Sequence, residues 1–338
     1  MQLSSISTVR SALCFVLLVS ASSCSAPAAQ PTELAEPLDL VTLPLAKVAK
    51  PPDRRLVGGL RYSASGDVKT VFEFHRQQFL AAHWTEAVGA SVTEQYASGM
   101  FTGGGDAIAL MVLPASDAGQ VTVNLSNLGD VELAKLPVPA DAKSLFVGPA
   151  SAMLLTAVAV APTKDACRKL LAEQGWEPYG VAGDSLRFKR GPIRLNAFIT
   201  AAPAQGGKTM ITYSSERLSA DLPAPPDAGN IDYADTTTRL SFDTKLSEKE
   251  LVAFYRTTLA KTGYEPTSDR PFDLDGRNHQ IFRQPHRDLI ELEMWTSGDK
   301  HQATVTYQTG AELAELDRLY KVEMERRKAE KAKSAPQQ

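Results

Sequence analysis

The residues best able to do chemistry in this 338-residue chain are His75, His83, His279, His286 and His301, together with Cys14, Cys24 and Cys167. A nucleophilic site needs a base within hydrogen-bond reach of a thiol or hydroxyl, and a zinc site needs Cys and His at short, regular spacings. No histidine here stands in a zinc-protease helix motif or beside a cysteine pair. The densest polar group is Asp273, Asp275, His279, His286 and Asp288. A hairpin could gather them, but their spacing imposes no metal geometry, so the reading is a surface loop. Gly103-Gly104-Gly105 lacks the Lys and Ser or Thr of a phosphate loop and sits between strand-like stretches, which makes it a hairpin turn. No nucleophile-elbow pattern occurs, and carboxylates are scattered. No catalytic residue, metal site or cofactor is expected.

The elements that would position such groups repeat. QFLAAHW ends at Trp84, LLAEQGW at Trp176 and TLAKTGY at Tyr264. Five residues before each aromatic stand Phe79, Leu171 and Leu259, and one before stand His83, Gly175 and Gly263. Gly after an apolar-periodic run suits a left-handed helix cap, with His83 the imperfect copy. The third helix is clearest: Ser247 and Glu250 form a capping box, and Leu251, Phe254, Tyr255 and Leu259 make an apolar face. Val71, Phe72, Phe74 and Phe79 correspond in the first copy, and Ala166, Leu170 and Leu171 in the second. Nine residues before the aromatics, His75, Cys167 and Tyr255 share one helical position. A histidine and a thiol that replace a tyrosine in sibling copies read as packing residues. Trp84, Trp176 and Tyr264 are themselves expected to pack helix on sheet, with a ligand platform as the functional alternative.

Strand patterns repeat around each helix. Leu60–Ser63, Met153–Val160 and Leu240–Phe242 precede it. After it come Met100-Phe101, Leu186–Phe188 and Ile281-Phe282; then Ala107–Leu113, Ile193–Thr200 and Leu289–Trp295; then Val121–Leu125, Thr209–Tyr213 and Ala303–Tyr307. Leu43-Pro44, Leu136-Pro137 and Leu222-Pro223 mark the three beginnings. The expected fold class is α+β: three tandem β-α-β-β-β modules, each an antiparallel-rich sheet covered by one helix, with a short extra first strand such as Leu145–Val147. The expected divisions are a signal peptide over 1–23, a flexible tether over 24–42, modules over 43–130, 131–217 and 218–309, and a charged helical tail over 310–338. The stripe Leu313, Leu316, Tyr320 and Met324 could dock that tail on the third module, leaving the basic stretch Arg326–Lys333 solvated or against an anionic polymer or lipid.

The Leu-Pro start, the run VAFYRTTLAKTGYEP, LLAEQGW in the second copy and the later strand with Phe282 together resemble a repeated module of exported bacterial proteins and lipoproteins. The resemblance covers about residues 43 to 309. It implies the fold and export, and no particular activity.

The N-terminus supports export. Arg10 precedes an apolar stretch from Ala12 to Ala21, too short for the roughly 20 residues of a spanning helix, and Ala21-Ser22-Ser23-Cys24 resembles a lipobox. Ala21 stands where that pattern prefers Leu, and cleavage after Ala26 or Ala29 is the rival reading. Pro27, Pro31 and Pro37 in the next stretch suit a flexible tether. After processing at Cys24, Cys167 has no intramolecular partner for a disulfide. With 43% hydrophobic and 22% charged residues the body resembles ordinary globular material, and a net charge of −3 argues against nucleic acid as a partner. The expected partners are the membrane, through a lipid on Cys24, and an unidentified protein, glycan or lipid ligand. The expected function is an envelope-tethered, non-enzymatic binding protein of the periplasm or outer surface; a carrier of an apolar ligand and an envelope-polymer hydrolase are the alternatives. Mass spectrometry of the mature protein should find a diacylglyceryl-modified Cys24 at its N-terminus, and an unmodified start downstream of Cys24 rules lipidation out.

Overall fold

A computed structural model describes residues 38–148, 150–285 and 288–334, with side chains up to residue 327. The proposed signal segment, Cys14, Cys24, most of the tether and His286 lie outside the described residues. The described residues form four α-helices and three antiparallel sheets. Sheet 1 contains β1 (Val48–Leu56), β2 (Gly59–Ser65), β3 (Thr85–Glu86), β4 (Ser91–Val92), β5 (Ala97–Gly103), β6 (Asp106–Pro114) and β7 (Gln120–Gly129), with α1 (Val68–Ala81) after β2. Sheet 2 contains β8 (Lys143–Val147), β9 (Ala152–Thr156), β10 (Glu177–Ala182), β11 (Ser185–Arg190), β12 (Ile193–Ala202) and β13 (Lys208–Arg217), with α2 (Val160–Glu173) after β9. Sheet 3 contains β14 (Gly229–Ala234), β15 (Arg239–Thr244), β16 (Glu265–Pro266), β17 (Phe272–Leu274), β18 (Arg277–Arg283), β19 (Leu289–Ser297) and β20 (Lys300–Gln308), with α3 (Glu248–Ala260) after β15. The tail forms α4 (Gly310–Ser334).

Strand order is the same in all three: β1-β2-β7-β6-β5-β3, β8-β9-β13-β12-β11-β10 and β14-β15-β20-β19-β18-β16. A hairpin comes first, the helix crosses the sheet, and a meander returns so that its last strand pairs with the strand before the helix. Each sheet thus has more strands than the expected β-α-β-β-β pattern. The stretch Met153–Val160 also ends early: β9 stops at Thr156, and Val160 opens α2.

Each helix buries residues four apart, which is one stripe of a 3.6-residue turn. The stripes are Val71, His75 and Phe79; Thr163, Cys167 and Leu171; and Leu251, Tyr255 and Leu259. Phe74, expected on the first stripe, is 39% exposed because its place in the turn points away from the sheet. Asp67 caps α1 through the Thr70 amide, and Ser247 with Glu250 completes the capping box of α3. The helices end where the chain turns left-handed at His83, Gly175 and Gly263 (φ 61°, 79° and 82°). The tail is not docked by its apolar stripe: Leu316 and Tyr320 are 51% and 66% exposed. Its start is held instead by Asp288, which accepts from the Gly310 amide, and its length by pairs such as Glu315–Arg318 and Glu323–Arg327.

The sheets lock together at close junctions. Between sheets 1 and 2, Arg217 donates to Asp106 (2.6 Å), which also accepts from Asn127. Between sheets 2 and 3, Tyr179 on β10 packs its ring at a 43° tilt against Tyr233 on β14 and donates to the Leu222 carbonyl. Sheets 1 and 3 meet where Arg54 approaches Asp235. Gly58 faces the Arg217 carbonyl so closely that any Cβ there would penetrate it.

Gly175→Ala should cost about 1 kcal/mol, because its added methyl meets nothing within 4 Å and only the left-handed backbone opposes it. Gly58→Ala should cost clearly more, since it must separate two sheets. Urea denaturation compares them, and equal losses would contradict the junction geometry.

Candidate binding surface

The helical position shared by His75, Cys167 and Tyr255 lies at the centre of each core, and all three side chains are fully buried. Its work is to close the core over the Leu-Pro lead-in. Tyr255 donates its hydroxyl to the Pro223 carbonyl (2.8 Å). In sheet 2, Tyr213 on β13 reaches the equivalent Pro137 carbonyl (3.2 Å) while lying 3.5 Å from the Cys167 sulfur. In sheet 1, Tyr62 on β2 accepts from the Ala46 amide (3.0 Å) and its hydroxyl shares a hydrogen bond with His75 Nε2 (2.6 Å). Burial pushes the Cys167 thiol above its ordinary range, which disfavours the nucleophilic thiolate. It pulls His75 down to about 4.

Two flanking residues do a related job and were not singled out in the sequence. Asp141 accepts from Thr156 Oγ1 and the Ala157 amide; Asp227 accepts from Thr244 Oγ1 and the Lys245 amide. Each stands four residues after its Leu-Pro proline, so aligning the second and third lead-ins would have revealed them. Hydrogen bonds from Thr156 hold the Asp141 carboxyl below the usual carboxylate range.

The aromatic landmarks are interior. Trp84, Trp176 and Tyr264 expose 2%, 1% and 8% of their surface, so a sugar ring could stack on either tryptophan only by opening a core. Arg190 covers Trp176 at 4.4 Å. The aspartate–histidine group is dispersed. His279 Nδ1 meets Glu291 (2.9 Å) and its ring stacks on Phe272; Asp288 holds Tyr307 and the start of α4; Asp275 occupies a turn at φ 53°. His301 sits 3.3 Å from Thr296. Gly103 ends β5 and Gly104-Gly105 turn into β6, as expected of a hairpin. Among the described residues no group of three or more His, Cys, Asp or Glu side chains is arranged to hold a metal ion, and no helix is long and apolar enough to cross a membrane.

What the sheets present outward differs sharply. The face of sheet 1 away from α1 is uncharged over its meander, with Ser98, Met111 and Asn124 in one cross-strand row and Met100, Ala109 and Ser126 in the next, and becomes basic where the first row reaches Arg61 on β2. On sheet 3 the corresponding face is ionic: Glu293 lies between Arg277 and Arg239, and Arg277 stacks on Trp295 (4.6 Å), whose Nε1 donates to Gln302 (2.8 Å). On sheet 2 it is divided: Arg194 and Asn196 meet Glu216 at one end, and the end toward β8 and β9 is apolar. Phe146 pairs with Met153, Met153 with Thr212, and Thr212 with Phe198; in the adjoining row Leu155 pairs with Met210. Phe146 and Phe198 are 50% and 43% exposed. An uncovered patch of this kind is the usual mark of a contact surface. Two recesses adjoin the middle sheet. One of about 640 Å³ lies between sheets 1 and 2 and includes Asp130, Val131, Leu133, Val147 and Gly148; one of about 450 Å³ lies between sheets 2 and 3 and includes Arg168, Arg187 and Ile231.

Comparison of the chain with protein-family models, with curated proteins and with solved structures finds no match.

The depressed His75 has a measurable consequence. In the unfolded chain a histidine takes up its proton near pH 6.5, whereas here it does so only near 4. Between those values the unfolded state holds more protons, so stability falls as pH drops through that window and levels off below it. The full window is worth roughly 3 kcal/mol. Urea midpoints measured from pH 7 to 4 should decline for the wild type and decline less for His75→Gln; parallel profiles would show that His75 is not the group responsible.

Proposed function

We propose that this chain is an exported, envelope-tethered binding protein without catalytic activity of its own, built from three copies of one module of the exported-lipoprotein kind. The copies carry a common β-β-α-β-meander plan. The carrying observation is how side chains are divided between inside and outside. The thiol and the imidazole at the shared helical position are spent on closing separate cores, while the outward faces are left with contrasting surfaces. The middle one, formed by Phe146, Met153, Leu155, Met210 and Phe198, is the binding face, and its chemistry suits an apolar ligand: an acyl chain or the apolar side chains of an envelope protein.

A carrier enclosing its ligand between helix and sheet would need open space there. In sheet 1 that space is filled by Phe72, Phe79, Trp84 and Phe101, in sheet 2 by Leu171, Trp176 and Phe188, and in sheet 3 by Tyr255, Leu259 and Phe282. Binding on an outer face is therefore the better-supported form of the apolar reading. The three sheets are joined at their junctions by paired groups such as Arg217–Asp106 and by the tilted ring contact Tyr179–Tyr233.

Titration with the apolar dye 8-anilinonaphthalene-1-sulfonate tests the face. The native protein should bind it saturably, and Phe198→Asp should weaken binding about tenfold or more with the near-ultraviolet circular dichroism unchanged. Dye affinity as tight as the wild type's in both Phe198→Asp and Met210→Asp proteins would remove this face from the reading.

A further inference from the structure

We propose that β8 joins two copies of this chain, the free edge of sheet 2 pairing antiparallel with the same edge of a second copy across a twofold axis. A sheet edge exposes unpaired amides and carbonyls that another strand can complete, and proteins usually blunt such edges with prolines, charges, short strands or cover. Among the described residues the other edges are treated this way. β1 carries Pro51, Pro52, Asp53, Arg54 and Arg55 and pairs with β2 in broken register. At the far side of sheet 1, β3 and β4 are two residues each; in sheet 3, β16 and β17 are two and three. β10 and β14, the edges that sheets 2 and 3 turn toward each other, are packed together, with Gly180 against the Ile231 carbonyl and Arg187 3.5 Å from Asp232.

β8 is less protected: beyond Lys143 at its start and one register slip on its β9 side, between Ser144 and Phe146, it carries no proline and no packed cover among the described residues. Its sequence is Lys-Ser-Leu-Phe-Val, and all five residues are exposed. Leu145, Phe146 and Val147 are 54%, 50% and 43% exposed, an apolar run without proline and with one charge at its start. It occupies the same topological position as β1 and β14, so the fold does not require an apolar sequence there.

The occupant follows from charge and sense. An antiparallel partner brings its own Lys143 to the far end of β8, where Val147 and Gly148 line the recess that also holds Asp130 and Glu132. Neither Lys143 nor Asp130 has an ion-pair partner among the described residues, and Asp130 is exposed. A second copy therefore supplies what each side lacks, twice, as a twofold contact requires. A five-residue ladder is a small interface, so the association should be weak, with a dissociation constant on the order of micromolar or above.

Sedimentation velocity on the full chain carrying Cys24→Ser, so that no lipid drives association, is the test. A monomer–dimer equilibrium is expected, weakened by added salt. Lys143→Asp and Asp130→Lys should each raise the dissociation constant about tenfold, the two together should restore it, and Leu145→Lys should abolish the dimer. Hydrogen exchange should show β8 amides that gain protection only as concentration rises. A chain monomeric up to about 500 μM, where a contact of this class would be populated, would overturn the proposal. So would a dimer indifferent to these substitutions, or protection in the monomer of those β8 amides that face away from β9, which would mean another segment covers the edge. The pairing is independent of the ligand reading: failure of dye binding leaves it standing, and a monomeric chain leaves the Phe198 face untouched.

Discussion

The Leu-Pro lead-in has to cross the end of a hydrophobic core, and its backbone carries polar groups that cannot be left there unpaired. An unsatisfied buried carbonyl or amide costs about 1–3 kcal/mol, a large part of the stability margin of a small core. Each sheet meets this demand with a tyrosine hydroxyl, yet the tyrosine comes from β2 in sheet 1, from β13 in sheet 2 and from α3 in sheet 3. Once one element supplies the hydroxyl, the helical position facing it is released from the duty and can become His75 or Cys167. The exchange of residue types at that position is thus a consequence of where the hydroxyl originates. In sheets 2 and 3 the lead-in is further tied to the sheet by Asp141–Thr156 and Asp227–Thr244, and each threonine also accepts the amide two residues on, Val158 or Leu246. That sets the turn from strand to helix, and with it the position of the helix over the sheet.

The elements legible in the sequence are those whose own periodicity reflects burial on one side. The stripe of α3, the left-handed turns at Gly175 and Gly263, and the long strands β6, β7, β12, β13, β19 and β20 all have that property. β1 and β14 do not. β1 carries prolines and charges because it is an edge, and β14 reads as polar because its burial comes from β10 of another sheet. The strands of two or three residues contain too few positions to show any alternation. Phe74 reads as inward because it stands at the position of Phe254 in the third copy, yet the stripe that meets the sheet runs through Val71, His75 and Phe79. The apolar stripe of α4 failed for a different reason: intrahelical ion pairs stabilise that helix without a partner surface.

The outward faces were harder still to read. Leu155, Met210 and Phe198 look like ordinary strand residues until the alternation has been assigned to a side, and adjacency across β9, β13 and β12 depends on register that no local pattern states. The separation of Asp288 from His279 has the same origin. His279 takes its partner, Glu291, from the neighbouring strand, whereas Asp288, close to it in sequence, is drawn off to Tyr307 and the start of α4.

Joining three such sheets also decides which surfaces remain for other uses. A six-strand order has two edges, and the middle sheet gives one, β10, to its junction with sheet 3, while its contact with sheet 1 runs through β13 and Arg217 rather than through β8. Had β8 been only a leftover edge, the treatment given to β1 would have been available to it at no cost to the core, because none of its five residues is buried. Proline or additional charge there would alter neither the lead-in lock nor the pairing of β9 with β13. The edge nevertheless carries Leu145, Phe146 and Val147, one strand away from the apolar Met153 and Leu155. Core packing does not explain that choice of residues; contact with something outside the sheet does.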